Sequence, residues 1–392
     1  MAVLLWYTSL NICRPQSRLY RRFAKRKQIA VATERELSDA SLPSSTPERP
    51  RLIFATELDG TAVLAALRAR GVLDFLATQG HVVVLDLTQL DDTRVAAARL
   101  LNQRGVGVIA GLSLSPEEGF GFNLQNYPLA QACYQSFSAW AREHDLRFEA
   151  VGLSIEPPLE DVAPDQRRGP RALLRRVWLA RENVLYPAAQ AAYNELSVTI
   201  HLDGYEVHTY QMPVIADDRR AGTTLIQRAL DIIDLPSDLD VLMCSSSVPI
   251  DLFGYDLGGA LIASYGSNAD AIGVGSIGEG DPATDRHAPL PWAALRRDLL
   301  LAAQHTDTIY IYSLEDCVER DLLSRIAELD WESPAHPARV GRVLIALIRT
   351  VLLALLFAGR FGRATLAWGG WALAIFLWLR GRRSRLLRRQ GE

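Results

Sequence analysis

The sequence predicts an α/β fold, a closed (β/α)8 barrel of the TIM type followed by a C-terminal transmembrane helical hairpin. Three observations carry this reading. Between residues 51 and 332, short apolar runs alternate eight times with segments that place apolar residues three and four apart. The runs are nearly continuous in apolar character, as strands covered on both faces require. Beyond residue 342 come two longer stretches with almost no charge. An open doubly wound sheet is the alternative arrangement, but no run is followed by G-x-G-x-x-G or G-x-x-x-x-G-K-[ST].

Taken in order, residues 1–50 read as a basic arm and linker. The opening MAVLLWYTSLNIC is too short to span a bilayer, and its positive charges follow it where a signal peptide would place them first. RPQSRLYRRFAKRKQ holds seven basic residues and no acid, which suits contact with anionic lipid and equally suits a solvated tail. Ser and Pro in ELSDASLPSSTPERP, residues 36–50, mark a linker.

The barrel is assigned to 51–332, a length close to the roughly 250 residues such a fold commonly uses. Its strands are predicted at 52–58 (LIFATEL), 82–88 (VVVLDLT), 106–114 (VGVIAGLSL), 150–156 (AVGLSIE), 196–203 (LSVTIHLD), 239–246 (LDVLMCSS), 271–278 (AIGVGSIG) and 308–315 (TIYIYSLE). The fourth run ends on Glu156 because Pro157 and Pro158 cannot continue a ladder. Helical patterns lie between the runs, among them TAVLAALRAR, TRVAAARLLNQR, PLAQACYQSFSAWAREH and ALLRRVWLARENVLYPAAQAAYNEL.

Residues 333–392 are assigned to a transmembrane hairpin and an Arg-rich tail. Residues 343–359 carry one charge, Arg349, and residues 364–379 carry none. Each is near the lower limit of about 17 residues for a span, so the two are paired as a hairpin turning at RFGR. Arg339 and Arg342 before the pair and six arginines in RGRRSRLLRR after it place both flanks, and with them the barrel, on the cytoplasmic side.

Charge is unevenly spread. Residues 1–50 hold nine Lys/Arg against four acids and residues 339–392 hold eleven Arg against one, which leaves the middle with 22 basic and 40 acidic residues, net −18. Such a middle repels phosphate backbones and excludes nucleic acid as its partner. Cys13, Cys133, Cys244 and Cys317 are far apart with no C-x-x-C spacing, so neither a zinc site nor a disulfide framework is expected, and no motif calls for a cofactor. The sequence carries no signal of oligomeric state.

In a parallel barrel the working face lies at the C-terminal ends of the strands. The runs and the segments after them bring Glu57 and Asp59, Asp86, then Asn123 within SPEEGFGFNLQNY, then Glu156, then Tyr205, His208, Tyr210 and Gln211 after the fifth run, Glu279 after the seventh and Glu315 after the eighth. Carboxylates beside aromatics suit sugars, since aromatic faces stack on C–H surfaces and cleavage of a glycosidic bond needs a flanking acid. Some of these acids are expected to cap helices instead, as Asp59 and Asp91 or Asp92 do by position. Glu156 precedes two prolines and no helix start, so it is assigned as the general acid. Glu279 or Glu315 is assigned as the second carboxylate, and Glu57, Asp86, Asn123, Tyr205, His208, Tyr210 and Gln211 to substrate binding. His201 is expected inside the barrel and His305 at its opposite end.

EAVGLSIE, residues 149–156, resembles the D-G-x-D-x-D-x-E strand of chitinase-like family 18 glycoside hydrolases. The resemblance implies that Glu156 protonates the leaving oxygen. Ser154 stands where that family has the aspartate that orients the substrate, and VLMCSSS stands where it shows M-x-Y-D. EEGFGFNLQN, HTYQMPVIADDR and IGVGSIGEG are similar to a class of uncharacterised bacterial membrane-attached barrels, a likeness over about 280 residues that implies architecture. The expected activity is that of a membrane-attached, glycoside-hydrolase-like barrel acting on a glycan or glycolipid head group. The alternative is a catalytically inactive barrel that binds carbohydrate or scaffolds a membrane assembly.

Overall fold

The structure, a computed structural model, describes residues 49–158, 183–244, 256–275 and 290–389. Eight parallel strands close into a barrel in chain order: β1 (Arg51–Ala55), β2 (Val82–Asp86), β3 (Gly107–Leu112), β4 (Ala150–Ser154), β5 (Glu206–Gln211), β6 (Leu239–Met243), β7 (Ala271–Gly275) and β8 (Thr308–Tyr312), with β8 returning to β1. Helices follow the strands on the outside: α1 (Gly60–Arg68), α2 (Val72–Thr78), α3 (Asp92–Gln103), α4 (Tyr127–Glu143), α5 (Leu185–Leu202), α6 (Ile215–Ala221), α7 (Leu225–Ala229), α8 (Gly258–Tyr265), α9 (Trp292–Ala303), α10 (Leu314–Glu319) and α11 (Leu322–Ala327). The last, α12, runs over Arg339–Arg389.

Alternation along each strand sends every second side chain inward. Ile53, Ala55, Val82, Val84, Ile109, Ala150, Tyr210, Val241, Ala271 and Tyr310 fill the cylinder, while the opposite parity, such as Leu52, Phe54, Val83, Leu85, Leu153 and Ile311, packs under the helices. The interior narrows around two aromatic rings, Tyr210 and Tyr310, which meet edge to face at 5.5 Å. Gly152 makes room for them, because a Cβ there would lie 2.2 Å from the Tyr210 hydroxyl. The expected helix caps form: Asp59 accepts from Thr61 N and Ala62 N, and Asp91, of the two residues considered, accepts from Arg94 N.

One sequence expectation is corrected and a second is left unconfirmed. The fifth run, 196–203, is the end of α5. Its β-branched residues imitate a strand, but Tyr186, Ala189, Tyr193, Leu196 and Ile200 are the buried ones and recur at helical spacing, while Val198 and Leu202 are exposed. The fifth strand is EVHTYQ, and Asp203 and Gly204 fall before it. His201 therefore lies on a helix, 2.6 Å from Asp238, outside the barrel interior. The hairpin is not confirmed: α12 continues through residues 360–363 as one helix of 51 residues. RFGR contains no proline, and a single glycine costs a helix only about 1 kcal/mol, so nothing in it enforces a turn. Among the described residues one segment, Arg339–Phe361, is long and apolar enough to cross a membrane. A single helix crosses at most once, which removes the argument that both flanks share a side.

Candidate active site at the barrel mouth

Glu156 sits two residues beyond the end of β4, and its position is set by three backbone hydrogen bonds. Phe122 N donates to Ser154 O at 2.7 Å, Glu156 N donates to Phe122 O at 3.2 Å, and Ile155 N donates to Tyr210 O at 3.0 Å. Phe122 and Ile155 thus form a short parallel bridge that extends the sheet past its regular end. Ile155 is buried outward, and Ser154 and Glu156, on the other parity, turn into the mouth. The segment that supplies Phe122 folds back through a capping box at Ser115–Glu118 and a turn in which Gly119 and Phe120 both have positive φ. Gly121 lies against Glu156: an added Cβ would be 2.5, 3.0 and 3.2 Å from its Cβ, Cγ and Cδ.

Among the described residues the Glu156 carboxyl accepts one hydrogen bond, from Ser154 Oγ at 3.1 Å. It is partly open to solvent yet enclosed by protein on most sides, as a group on the floor of a cleft is. Burial raises its pKa above the usual carboxylate range, and the Ser154 hydrogen bond opposes this only in part. No second carboxylate among the described residues contributes to that rise. Tyr312, the last inward residue of β8, is close enough to Glu57 and Glu156 for their charges to act on it. Burial first, then Tyr210 and these two carboxylates, hold its phenol well above its ordinary range, so it remains an O–H donor.

Glu315 is buried near the start of α10. Its Oε1 accepts from Glu57 N at 3.0 Å and Leu58 N at 3.2 Å, clamping the end of β1 to the end of β8. Its Oε2 is buried and has no close hydrogen-bond partner among the described residues. Burial raises its pKa, against the pull of these backbone donors. Glu279, the other expected second carboxylate, lies outside the described residues.

The remaining predicted site residues divide by location. Asp86 is at the mouth but engaged: it accepts from Thr88 Oγ1 at 2.9 Å, from Ser113 Oγ at 3.2 Å and from the buried Arg94, which also donates to the Asp86 and Leu58 carbonyls. Asn123 is fully buried. Its side chain accepts from Gln125 N and Asn126 N and donates to Gly121 O, so it organises the segment that holds Glu156. Tyr205, expected on the rim, precedes β5 and packs on Phe137 at the opposite end. His208, expected in a loop, is buried inside β5 with Nδ1 2.6 Å from the Tyr310 hydroxyl and Nε2 3.5 Å from Glu206. Tyr210 fills the interior beneath the mouth, against Tyr310. Gln211 has the outward parity and bonds Thr209 Oγ1 at 3.1 Å. All four displacements follow from the shifted fifth strand.

Sequence reasoning missed Tyr312 and Gly121. The alternation Thr308, Tyr310, Tyr312 in TIYIY would have placed the first on the inner face, whereas Gly121 carries no signal short of coordinates. Among the described residues no cluster of His, Cys, Asp or Glu is arranged to hold a metal ion.

No protein-family model matches the chain, and no curated protein matches it. Among solved structures, the PgaB (BpsB) glycoside hydrolase domain from Bordetella bronchiseptica is 11% identical with a TM-score of 0.42, covering 73% of this chain and 100% of that one. A xylose isomerase domain protein from Planctomyces limnophilus is 13% identical with a TM-score of 0.39, covering 72% and 97%. Gas2p of Saccharomyces cerevisiae, in complex with laminaritetraose and laminaripentaose, is 12% identical with a TM-score of 0.39, covering 76% and 69%. At such distances the likeness carries no residue roles, and the chemistry rests on the mouth itself.

Proposed function

We propose that this chain is a membrane-attached barrel of glycoside-hydrolase type that acts on a glycan or glycolipid head group, with Glu156 as the general acid. The observation that carries this is the inward, desolvated setting of Glu156 just past the end of β4, with no cation among its described partners. A carboxyl whose pKa is raised holds its proton to higher pH than an ordinary carboxylate, and so is better placed to deliver it to a leaving oxygen. Tyr312 supplies an O–H beside it, and Ser154 orients the carboxyl. Glu279 is the proposed second carboxylate, because Glu315 is already used to clamp two strand ends. The test is turnover of a panel of oligosaccharides and lipid-linked oligosaccharides by the purified full chain and by Glu156→Gln. General-acid loss should lower turnover by about 10²- to 10⁴-fold, and unchanged turnover of a responsive glycan would overturn the assignment.

A second reading is a catalytically inactive barrel that binds carbohydrate or scaffolds a membrane assembly. It is favoured by the presence of a serine as the hydrogen-bond partner of Glu156 and of no second carboxylate acting on it among the described residues. Saturable glycan binding without turnover, unaltered in Glu156→Gln, would support it.

A further inference from the structure

The inner side of α12 is docked on the barrel. Ile345, Arg349, Leu352, Leu353, Leu356 and Arg360 recur every three or four residues and meet α6, α7 and α8. Arg349 fixes the dock: its Nε donates to Asp217 Oδ1 at 2.6 Å, its other nitrogens reach Ser264 O and Asn268 Oδ1, and its guanidinium lies over the Tyr265 ring at 4.1 Å. Tyr265 in turn donates to Asp217 Oδ2 at 2.7 Å, and Asp217 is fully buried. Arg360 donates to Ala221 O at 2.5 Å. The charge that interrupts residues 343–359 is therefore a pin between helix and barrel.

The outer side of the same segment is apolar as well. Val340, Val343, Leu344, Leu347, Ile348, Val351 and Leu355 are exposed, Val340 at 81% and Leu347 at 60%. At 100° per residue they cover an arc of roughly 140° opposite the pin. A helix apolar on all sides belongs inside protein or lipid, and here the described residues cover one side only.

We propose that a lipid bilayer covers this arc, so that the barrel is held flank-on to the membrane by the Arg349–Asp217 pin and is not suspended from a free anchor. This rests on the membrane attachment proposed above and deepens it. The arc is wider than the narrow seam two coiled helices share. Exposed Trp368, Trp371, Ile375 and Phe376 continue the apolar surface along the helix. The helix ends in RGRRSRLLRR, whose six arginines attract anionic head groups and would repel the same tail of a parallel second copy. The apolar length from 343 to 379 is about 55 Å, against a bilayer core of about 30 Å, so the helix is too long to be only an upright span.

The test uses the full chain with Cys13 and Cys133 replaced by Ser, carrying Leu347→Cys, Val351→Cys or, as a barrel-surface control, Val198→Cys, each labelled with bimane and mixed with vesicles containing phosphatidylglycerol and a nitroxide lipid. The protein should float with the vesicles, and the labels at 347 and 351 should be quenched several-fold more strongly by the lipid nitroxide than the label at 198. Flotation with quenching at 347 and 351 by aqueous iodide alone would overturn the lipid-facing arc while keeping membrane attachment. Shielding from both quenchers, with disulfide cross-linking of copies through Leu347→Cys, would overturn it in favour of a second copy. Failure to float would overturn both attachment and arc.

Discussion

Glu156→Gln is expected to stabilise the folded barrel at pH 8 and to leave it unchanged at pH 4. Burial holds the Glu156 proton more tightly in the folded chain than in the unfolded one, and the Ser154 hydroxyl offsets this only in part. With a raised folded pKa, the contribution of the group is fully favourable below the unfolded value of about 4.3 and is lost as pH rises through the folded value. Each tenfold difference in proton affinity is worth about 1.4 kcal/mol. Since 1 kcal/mol moves the melting temperature of a domain near this size by about 2 to 4 °C, a tenfold difference predicts a gain of about 3 to 6 °C for the variant at pH 8. Glutamine keeps the shape and an acceptor for Ser154 but has no charge to desolvate. Glu315, whose pKa is also raised by burial, is present in both proteins and cancels from the comparison. Thermal unfolding of both proteins from pH 4 to 8 gives the difference curve. A difference independent of pH, or a variant less stable at pH 8, would mean that the Glu156 charge is solvated or paired and would refute the argument.

Three further perturbations follow from the same structure. In Gly121→Ala the new methyl would lie 2.5 Å from the Glu156 Cβ, against ordinary contacts of about 3.5 to 4.0 Å. The carboxyl must move by about 1 Å, and turnover should fall about 10²-fold with a stability loss of about 1 to 3 kcal/mol; unaltered kinetics would show that placement of Glu156 is not critical. Arg349→Ala strips the guanidinium from the buried Asp217 and should cost about 3 to 5 kcal/mol, read as a lower melting temperature and earlier proteolysis within α12, with Arg349→Leu plus Asp217→Asn recovering much of the loss. His81 has its pKa pushed down to about 4 by burial, so the wild type should lose stability as pH falls from about 6.5 towards 4. His81→Phe, placed between Phe54 and Phe75, should remove that loss, and identical pH profiles for the two proteins would contradict it.

Seven of the eight strands were legible because their outward residues are apolar: Phe54, Val83, Val108, Leu153, Leu242, Val274 and Ile311 each lie in a run that a parallel barrel must bury from both sides. The fifth was not, because its inward positions are Glu206, His208 and Tyr210 and its outward ones include Thr209 and Gln211, while the helix before it offers Val198, Thr199 and Ile200. Propensity pointed to the wrong segment, and helical spacing of the buried residues would have decided it. That one error moved Tyr205, His208, Tyr210 and Gln211 to the rim. Glu156 was legible for the opposite reason, since two prolines fix where β4 must end. Asp86 and Glu315 were legible as acids near the mouth, but their engagement with Arg94 and with two backbone N–H groups depends on residues 8 to 258 positions away, which no local pattern contains.

The acids of this barrel separate by what they do to its stability. Asp59 and Asp91 satisfy helix N-termini, and Asp86 accepts from Arg94. Each of these meets donors that reward an ionised carboxylate. Glu156 has one hydroxyl, no cation among its described partners, and an inward path to solvent. Ionising it costs stability. A fold selected for rigidity alone has no use for such a group, whereas proton delivery to a bound oxygen needs an acid that is easily kept protonated and open to the cleft. A scaffold or a binder would function as well with glutamine at position 156, and would be more stable for it. The sign of the Glu156→Gln stability change therefore tests the setting of the acid, and turnover tests its use; stabilisation together with loss of turnover is the pairing that only a catalytic role produces.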